Sequence, residues 1–199
     1  MRVIVVTGTP GVGKSQFSHL LAKKTGAIHV DIGKVALDEG FTLGKDPLRQ
    51  TKIADIEKIS TWIDKIILES RNDLIVDGHY ASAIVPKEHV RLAIVLRCEP
   101  SELLKRLKRK KFPKKKALEN VAAEILDSCL IDTMQSFGRR KVCEIDTTGK
   151  ALNLIVSEAL TLLGRRSCRC VGKVNWLDKL SATGQSDKLM DIMSSTNAR

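Results

Sequence analysis

RVIVVTGTPGVGKSQF, Arg2 to Phe17, is the stretch whose reading decides the fold. Its first six residues, an arginine followed by five β-branched side chains, have the pattern of a parallel strand buried on both faces. The run ends at Gly8, and GTPGVGKS (Gly8–Ser15) fits G-x-x-x-x-G-K-[ST] between that strand and a helix. Gly8, Gly11 and Gly13 let successive backbone N–H groups turn inward around phosphate oxygens, and the helix that follows adds its positive end. Lys14 is expected at the β- and γ-phosphates and the Ser15 hydroxyl on Mg²⁺, with Val12 and Gln16 completing the cradle. A nucleoside triphosphate is therefore the implied ligand, with Mg²⁺ as cofactor.

Beyond the cradle, strand-like and helix-like stretches alternate. Ala27–Val30, Asp73–Asp77 (DLIVD), Arg91–Arg97 (RLAIVLR) and Lys141–Asp146 (KVCEID) read as strands. Ile53, Ile56, Ile59, Ile63, Ile66 and Ile67 recur at three- and four-residue steps, predicting one face of a long helix after Pro47. Leu103, Leu104 and Leu107 start another helix, and Ala117–Met134 and Ala151–Leu163 predict two more. The alternation gives an α/β fold with a parallel sheet and right-handed crossovers. One domain over residues 1–163 is expected, followed by a basic, partly helical tail over 164–199. Amphipathic pieces around Val174–Leu180 and Leu189–Met193 mark that tail, which is expected to dock through Trp176 and Leu180.

Asp77 closes the apolar run LIVD, at the end of a strand that points into the ligand crevice. It is expected to orient magnesium's water; the alternative is a strand-capping Asp. His79 follows two residues later and is expected to share the strand face, polarising a water or meeting phosphate. The alternative is a hydrogen-bonded loop histidine. His19, His29 and His89 are read as structural. No Asn-Lys-x-Asp guanine reader occurs, so GTPase switch chemistry is excluded.

The net charge of +11 is uneven. Lys105–Lys116 (KRLKRKKFPKKK) holds nine Lys/Arg and no acid, and the stretch after Gly164 holds seven against three Asp. The chain is thus a near-neutral body with two basic patches, not a uniformly basic coat. One Tyr, four Phe and two Trp leave too few aromatics for a base-stacking platform. The five cysteines are scattered, and Cys168-Arg-Cys170 has no second pair to complete a zinc site. The opening VIVV is too short for a secretory leader or a membrane span, so a reducing cytoplasm is expected.

Taken in order, GTPGVGKS, VDIG (Val30–Gly33), VDGH (Val76–His79), IVLR (Ile94–Arg97), the basic segment, ENVAAEI (Glu119–Ile125) and DTTGK (Asp146–Lys150) carry a resemblance. The chain resembles nucleoside monophosphate kinases over about residues 1–163. Within them it is most similar to adenylate kinase isoenzyme 6, the coilin-interacting nuclear ATPase family, and its archaeal relatives. The resemblance implies a five-stranded parallel sheet of order 2-3-1-4-5. It implies that the triphosphate is ATP, held by Gly8–Ser15 as phosphoryl donor. It also implies a monophosphate-binding arm at about 31–70, with Asp31 and Gly33 serving AMP, and a short lid at about 106–116. Arg49, within the arm, is the candidate substitute for arginine grips on AMP that this chain lacks. Asp77 and His79 would be the family's Walker B element, and Thr148 and Lys150 would lie near adenine. Arg106, Arg109 and Lys110 would meet the phosphoryl groups. Family members combine adenylate kinase and ATPase activity, and mature the small ribosomal subunit beside one of its proteins.

The chain departs from the wider kinase pattern at several points. Leu37 stands where many such kinases have Arg, and Asp77-Gly-His-Tyr-Ala-Ser lacks the Arg that usually follows Asp-Gly-Phe-Pro. Lys110-Lys111-Phe112 replaces the lid's Arg-Gly-Tyr. Lys111, Lys114, Lys115 and Lys116 exceed what catalysis needs, either as a solvated tip or as a contact for ribosomal RNA phosphates. Two functions follow: an AMP kinase, or an ATP-hydrolysing assembly factor on a protein–RNA partner.

Overall fold

The computed structural model describes residues 2–46, 51–164 and 170–182. In chain order the elements are β1 (Val3–Thr7), α1 (Lys14–Thr25), β2 (Ile28–Asp31), α2 (Ile32–Asp38), β3 (Thr42–Asp46), β4 (Thr51–Ala54), α3 (Ile56–Glu69), β5 (Leu74–Asp77) and α4 (Ala81–Ile84). There follow β6 (Val90–Arg97), α5 (Pro100–Arg109), α6 (Lys114–Ile125), α7 (Ser128–Phe137), a short 3-10 turn, β7 (Val142–Asp146), α8 (Leu152–Leu163) and α9 (Trp176–Ala182). Five strands form a parallel sheet in the order β2-β5-β1-β6-β7. Counting only strands of that sheet, this is 2-3-1-4-5, as the resemblance implied.

The period-two alternation of each strand builds two cores. Ile4, Val6, Ile94 and Leu96 face one way, onto α1, α5, α6 and α8; Val3, Val5, Ala93 and Val95 face the other, onto α3, α4 and α7. Every side chain of β1 is buried, which explains the unbroken β-branched run. Ile59, Ile63 and Ile67 of α3 are also buried, at about 1.5–3 kcal/mol each.

The structure redraws two helices. Asp55 caps α3, its Oδ1 accepting the Lys58 N–H at 3.1 Å, so the helix starts at Ile56. Ile53 falls instead in β4, which pairs antiparallel with β3 in a unit that the isoleucine spacing does not reveal. The apolar positions of 117–134 belong to two helices, not one. The break falls at Asp127, whose φ of 56° is left-handed, a conformation Asp tolerates better than most residues. Its carboxylate is held there by Arg97.

The basic segment runs through the end of α5, a turn with Lys111 at φ 57°, and the first turn of α6. Arg106, Lys108 and Arg109 complement the negative end of α5. Lys114–Lys116 do the opposite: they occupy the positive end of α6, which has no acid in its first turn and no side-chain cap. The backbone of Cys170 pairs in parallel with that of Cys143 in β7, with no disulfide between them, and Trp176 is buried. The second amphipathic piece, Leu189–Met193, lies outside the described residues, as does Cys168. Among the described residues no helix is long and apolar enough to cross a membrane.

Candidate functional site

The loop between β1 and α1 depends on its glycines. Gly8, Gly11 and Gly13 have φ of 134°, 100° and 108°, a region costly for residues with a Cβ. A Cβ on Gly8 would collide with the carbonyl oxygen of Leu96, and one on Gly11 would lie 2.9 Å from Leu107 Cδ2. The loop therefore lies against the end of β6 and the inner face of α5. Lys14 opens α1, and its Nζ donates to the carbonyl oxygens of Gly8 (2.7 Å) and Thr9 (3.2 Å). Burial lowers the pKa of this ammonium, Lys110 adds to the effect, and Cys129, Asp77 and Glu124 oppose it.

Beside the loop, β2 and β5 end together with Asp31 and Asp77 in register. Ser15 Oγ donates to Asp31 Oδ2 at 3.3 Å, while Asp31 Oδ1 caps α2 by accepting the Lys34 N–H at 3.0 Å. Asp77 is buried; its Oδ1 lies 3.2 Å from His29 Nε2, and its Oδ2 has no hydrogen-bond partner. A buried carboxylate oxygen without a donor is unfavourable unless a cation or its water meets it. With the Ser15 hydroxyl on neighbouring Asp31, the register partner of Asp77, this oxygen suits a hard cation that keeps most of its waters, such as Mg²⁺.

His29, structural on the sequence reading, thus contacts Asp77. The available signal is its spacing of two from Asp31 in IHVD, which places both on one face of a strand ending at the cradle. His79 is placed differently from expectation. β5 stops at Asp77, and Gly78–Tyr80 turn into α4, so His79 does not share the strand face. Its ring lies 3.8 Å from that of Tyr80. Although much of it meets solvent, local desolvation, then the charges of Lys14 and Lys116, push its pKa down to about 4. Neutral imidazole is the resting form.

On the far side of the loop opens a cleft of about 420 Å³. Gly11, Val12, Gly13 and Gln16 form one wall, Arg106, Arg109 and Lys110 a second, and Thr147, Gly149 and Lys150 a third, over Phe17, Leu96, Leu152 and Ile155. The mix of apolar floor and cationic rim suits a nucleoside carrying phosphates. Arg106 is committed to the protein: its guanidinium donates to the Val12 and Thr147 carbonyls at 3.3 and 3.1 Å and to Glu102 at 3.1 Å. Thr148 is turned to its own loop, donating to Asp146 at 2.5 Å and accepting the Glu99 N–H at 2.8 Å. Lys150 lines the cleft while paired with Glu158. Gly33 sits in α2 next to Asp31, and Arg49 lies outside the described residues.

Behind the loop is a buried ionic cluster that sequence reasoning misses. Arg97 donates to Glu124 Oε1 (2.8 Å), Glu144 Oε1 (2.7 Å) and Asp127, and Glu124 Oε2 accepts the Thr9 hydroxyl at 2.6 Å. The signal is present all the same: a guanidinium closing the apolar run AIVLR, and a carboxylate inside the apolar face VAAEIL.

Similarity to known proteins adds to this geometry. Residues 4–127 match the family described as AAA domain. A protein of Methanocaldococcus jannaschii bearing the name "Putative adenylate kinase" is 36% identical over 88% of this chain and 93% of its own. One of Pyrococcus furiosus with the same name is 35% identical, over 87% of this chain and 91% of its own. In three dimensions the chain is similar to shikimate kinase from Bacteroides thetaiotaomicron, with a TM-score of 0.59 at 15% identity, covering 82% of this chain and 99% of the other. It is also similar to a gluconokinase from Sinorhizobium meliloti, with a TM-score of 0.51 at 20% identity over 82% and 92% of the two chains. These two likenesses show the fold alone.

Proposed function

The chain belongs to the family of these archaeal adenylate kinase relatives, and from that premise we propose that it transfers the γ-phosphoryl group of ATP to AMP, giving two ADP. The observation that carries this reading is the convergence on one loop of Lys14, Ser15 and the unpartnered oxygen of Asp77, beside a cleft rimmed by Arg109 and Lys110.

In this mechanism the donor nucleoside occupies the cleft and its phosphates lie in the turn Gly8–Ser15. Lys14 exchanges the loop carbonyls for phosphate oxygens, bringing its charge to the γ-phosphoryl group as negative charge redistributes there. Ser15 and Asp77 would hold Mg²⁺, which neutralises phosphate charge when bound. Arg109 and Lys110 approach from the end of α5, stabilise the equatorial oxygens and exclude water. The β3–β4 unit and α3 form the arm for AMP, with Asp31 and Gly33 at its root. No general base is required, because alignment supplies most of the rate. His79, uncharged, can order a water or a phosphate through hydrogen bonding alone.

Within the family we assign the chain to the group of adenylate kinase isoenzyme 6. A second reading, ATP hydrolysis in the service of small-subunit ribosomal RNA maturation, is favoured by Lys114–Lys116 at the uncapped start of α6. Lysines at the positive end of a helix repel one another and the dipole until an anion arrives, and RNA phosphates would supply it. The exposed Leu37, where an arginine grip on AMP is wanted, points the same way. Chromatography of nucleotides after incubation with ATP and Mg²⁺, with and without AMP, decides between the two. AMP-dependent ADP formation without matching phosphate release supports the kinase. Slow phosphate release indifferent to AMP supports the assembly factor.

A further inference from the structure

We propose that Glu124 is a positioning residue for the phosphate loop, and that Trp176 of the C-terminal segment fixes its carboxylate in the orientation the loop requires. The proposal rests on the reading that the loop holds the phosphates of ATP.

Glu124 is 2% exposed, and its two oxygens carry different partners. Oε1 receives three donors: Arg97 Nε at 2.8 Å, the Cys98 N–H at 3.2 Å and the indole Nε1–H of Trp176 at 3.0 Å. Oε2 receives the Thr9 hydroxyl at 2.6 Å. Three donors on one oxygen fix the carboxylate plane, which aims the other oxygen at the loop. A charged acceptor away from water makes a short, strong hydrogen bond, and Thr9 cannot turn without leaving it unmet. Thr9 is the residue whose carbonyl, with that of Gly8, holds Lys14 Nζ. A chain of direct contacts therefore runs from Trp176 through Glu124 and Thr9 to Lys14.

The C-terminal segment enters the cluster from a second side. The Gly172 N–H donates to Glu144 Oε2 at 2.6 Å, and the Glu144 N–H to the Cys170 carbonyl at 3.1 Å, while Arg97 joins Glu144 to Glu124. Apolar side chains could cover this edge of the sheet without desolvating two carboxylates and a guanidinium. What the ionic arrangement adds is direction: one oxygen of Glu124 pointed at a hydroxyl of the phosphate loop.

Calorimetric titration with AMP-PNP and Mg²⁺ tests this on the full chain, using Trp176→Phe, Thr9→Val, the double variant and Thr9→Ser. Trp176→Phe keeps an aromatic ring and loses the N–H donor, so affinity should fall about three- to tenfold, as expected for one hydrogen bond. Thr9→Val should lose a similar factor, and Thr9→Ser should restore it. The double variant should lose no more than the weaker-binding single one. In steady-state assays the KM for ATP should rise while that for AMP stays fixed. Wild-type affinity in Trp176→Phe alongside reduced resistance to urea would overturn the proposal, as would multiplying losses in the double variant. Should Trp176→Phe fail to fold, Trp62→Phe leaves Trp176 as the one tryptophan, which is excited selectively over Tyr80. AMP-PNP should then shift its fluorescence in the Trp62→Phe protein, and adding Thr9→Val should abolish that shift. An emission that ignores AMP-PNP while Thr9 is intact would overturn the proposal. Absence of AMP-PNP binding by the unaltered protein would overturn the proposed function as well, so the two failures are distinguishable.

Discussion

Asp77 Oδ1 stands 3.2 Å from His29 Nε2, at the ends of two neighbouring parallel strands, while Asp77 Oδ2 meets no donor. One half of the carboxylate is held by the protein, and the proposed mechanism gives the other half to Mg²⁺. His29→Gln should therefore raise the Mg²⁺ concentration needed for half-maximal rate by about tenfold, the usual range for a residue that orients a ligating group. Asp77→Asn should cost more, about a hundredfold in kcat. Metal titrations of the steady-state rate measure both; unchanged Mg²⁺ dependence in each would remove this pair from the metal site.

Lys14→Ala removes the ammonium that the loop holds against its own carbonyls. Phosphoryl transfer should fall by about a hundredfold or more, with the circular dichroism spectrum retained, because the lysine serves the loop and not the core. Nucleotide chromatography under saturating ATP gives the loss directly.

His79 should titrate far below an ordinary histidine. Its pKa in the fold is about 4, against 6.5 for an unperturbed ring. Neutral imidazole is the form the fold accepts, so its contribution to stability is complete above pH 6.5 and is lost as pH falls towards 4. Proton NMR of the ring should show no titration between about pH 6 and 8, where an unperturbed histidine would change. Lys116→Met removes one of the opposing charges and should move the midpoint upward.

Arg97→Met leaves Glu124 and Glu144 buried without their shared cation. A loss of about 3–5 kcal/mol is expected, the usual consequence of removing one partner from a buried ionic group. Urea unfolding should show it as an earlier midpoint with little change in slope.

Neutralising Lys111 and Lys114–Lys116 should weaken binding to single-stranded RNA and flatten its dependence on salt, since every lysine withdrawn from a phosphate leaves a counterion on the nucleic acid. Affinity for ATP should stay within about twofold, because Arg109 and Lys110, not these four, line the cleft. RNA binding that did not move would identify the four lysines as a solvated tip.

The phosphate loop, the sheet's strands and the place of Asp77 are legible because each is written in a local pattern: glycine spacing, apolar and β-branched runs, a carboxylate at a strand end. The strand order is given only by the resemblance, since it depends on which distant runs pair. What is not legible depends on distant partners. Asp127 reads as one more residue of an amphipathic helix until Arg97 claims its carboxylate and the backbone turns left-handed. Ile53 has helical spacing, but Asp55 caps the helix after it. Counting in twos puts His79 on the strand face, whereas the strand ends at Asp77. Thr9 is one of the freely variable letters of the glycine motif, so its bond to a glutamate 115 positions away leaves no local trace.

The buried cluster also bears on how the chain comes together during synthesis. Its members, Thr9, Arg97, Glu124, Glu144, Gly172 and Trp176, are spread over almost the whole length that the structure describes. Contacts between residues so far apart close the largest loops and form late. The phosphate loop is among the first segments made, yet its supporting carboxylate acquires its last donor only when the other end of the molecule has emerged. On the proposed role of Glu124, a nascent chain holding every glycine of the motif would still be an unfinished nucleotide binder until Trp176 arrives.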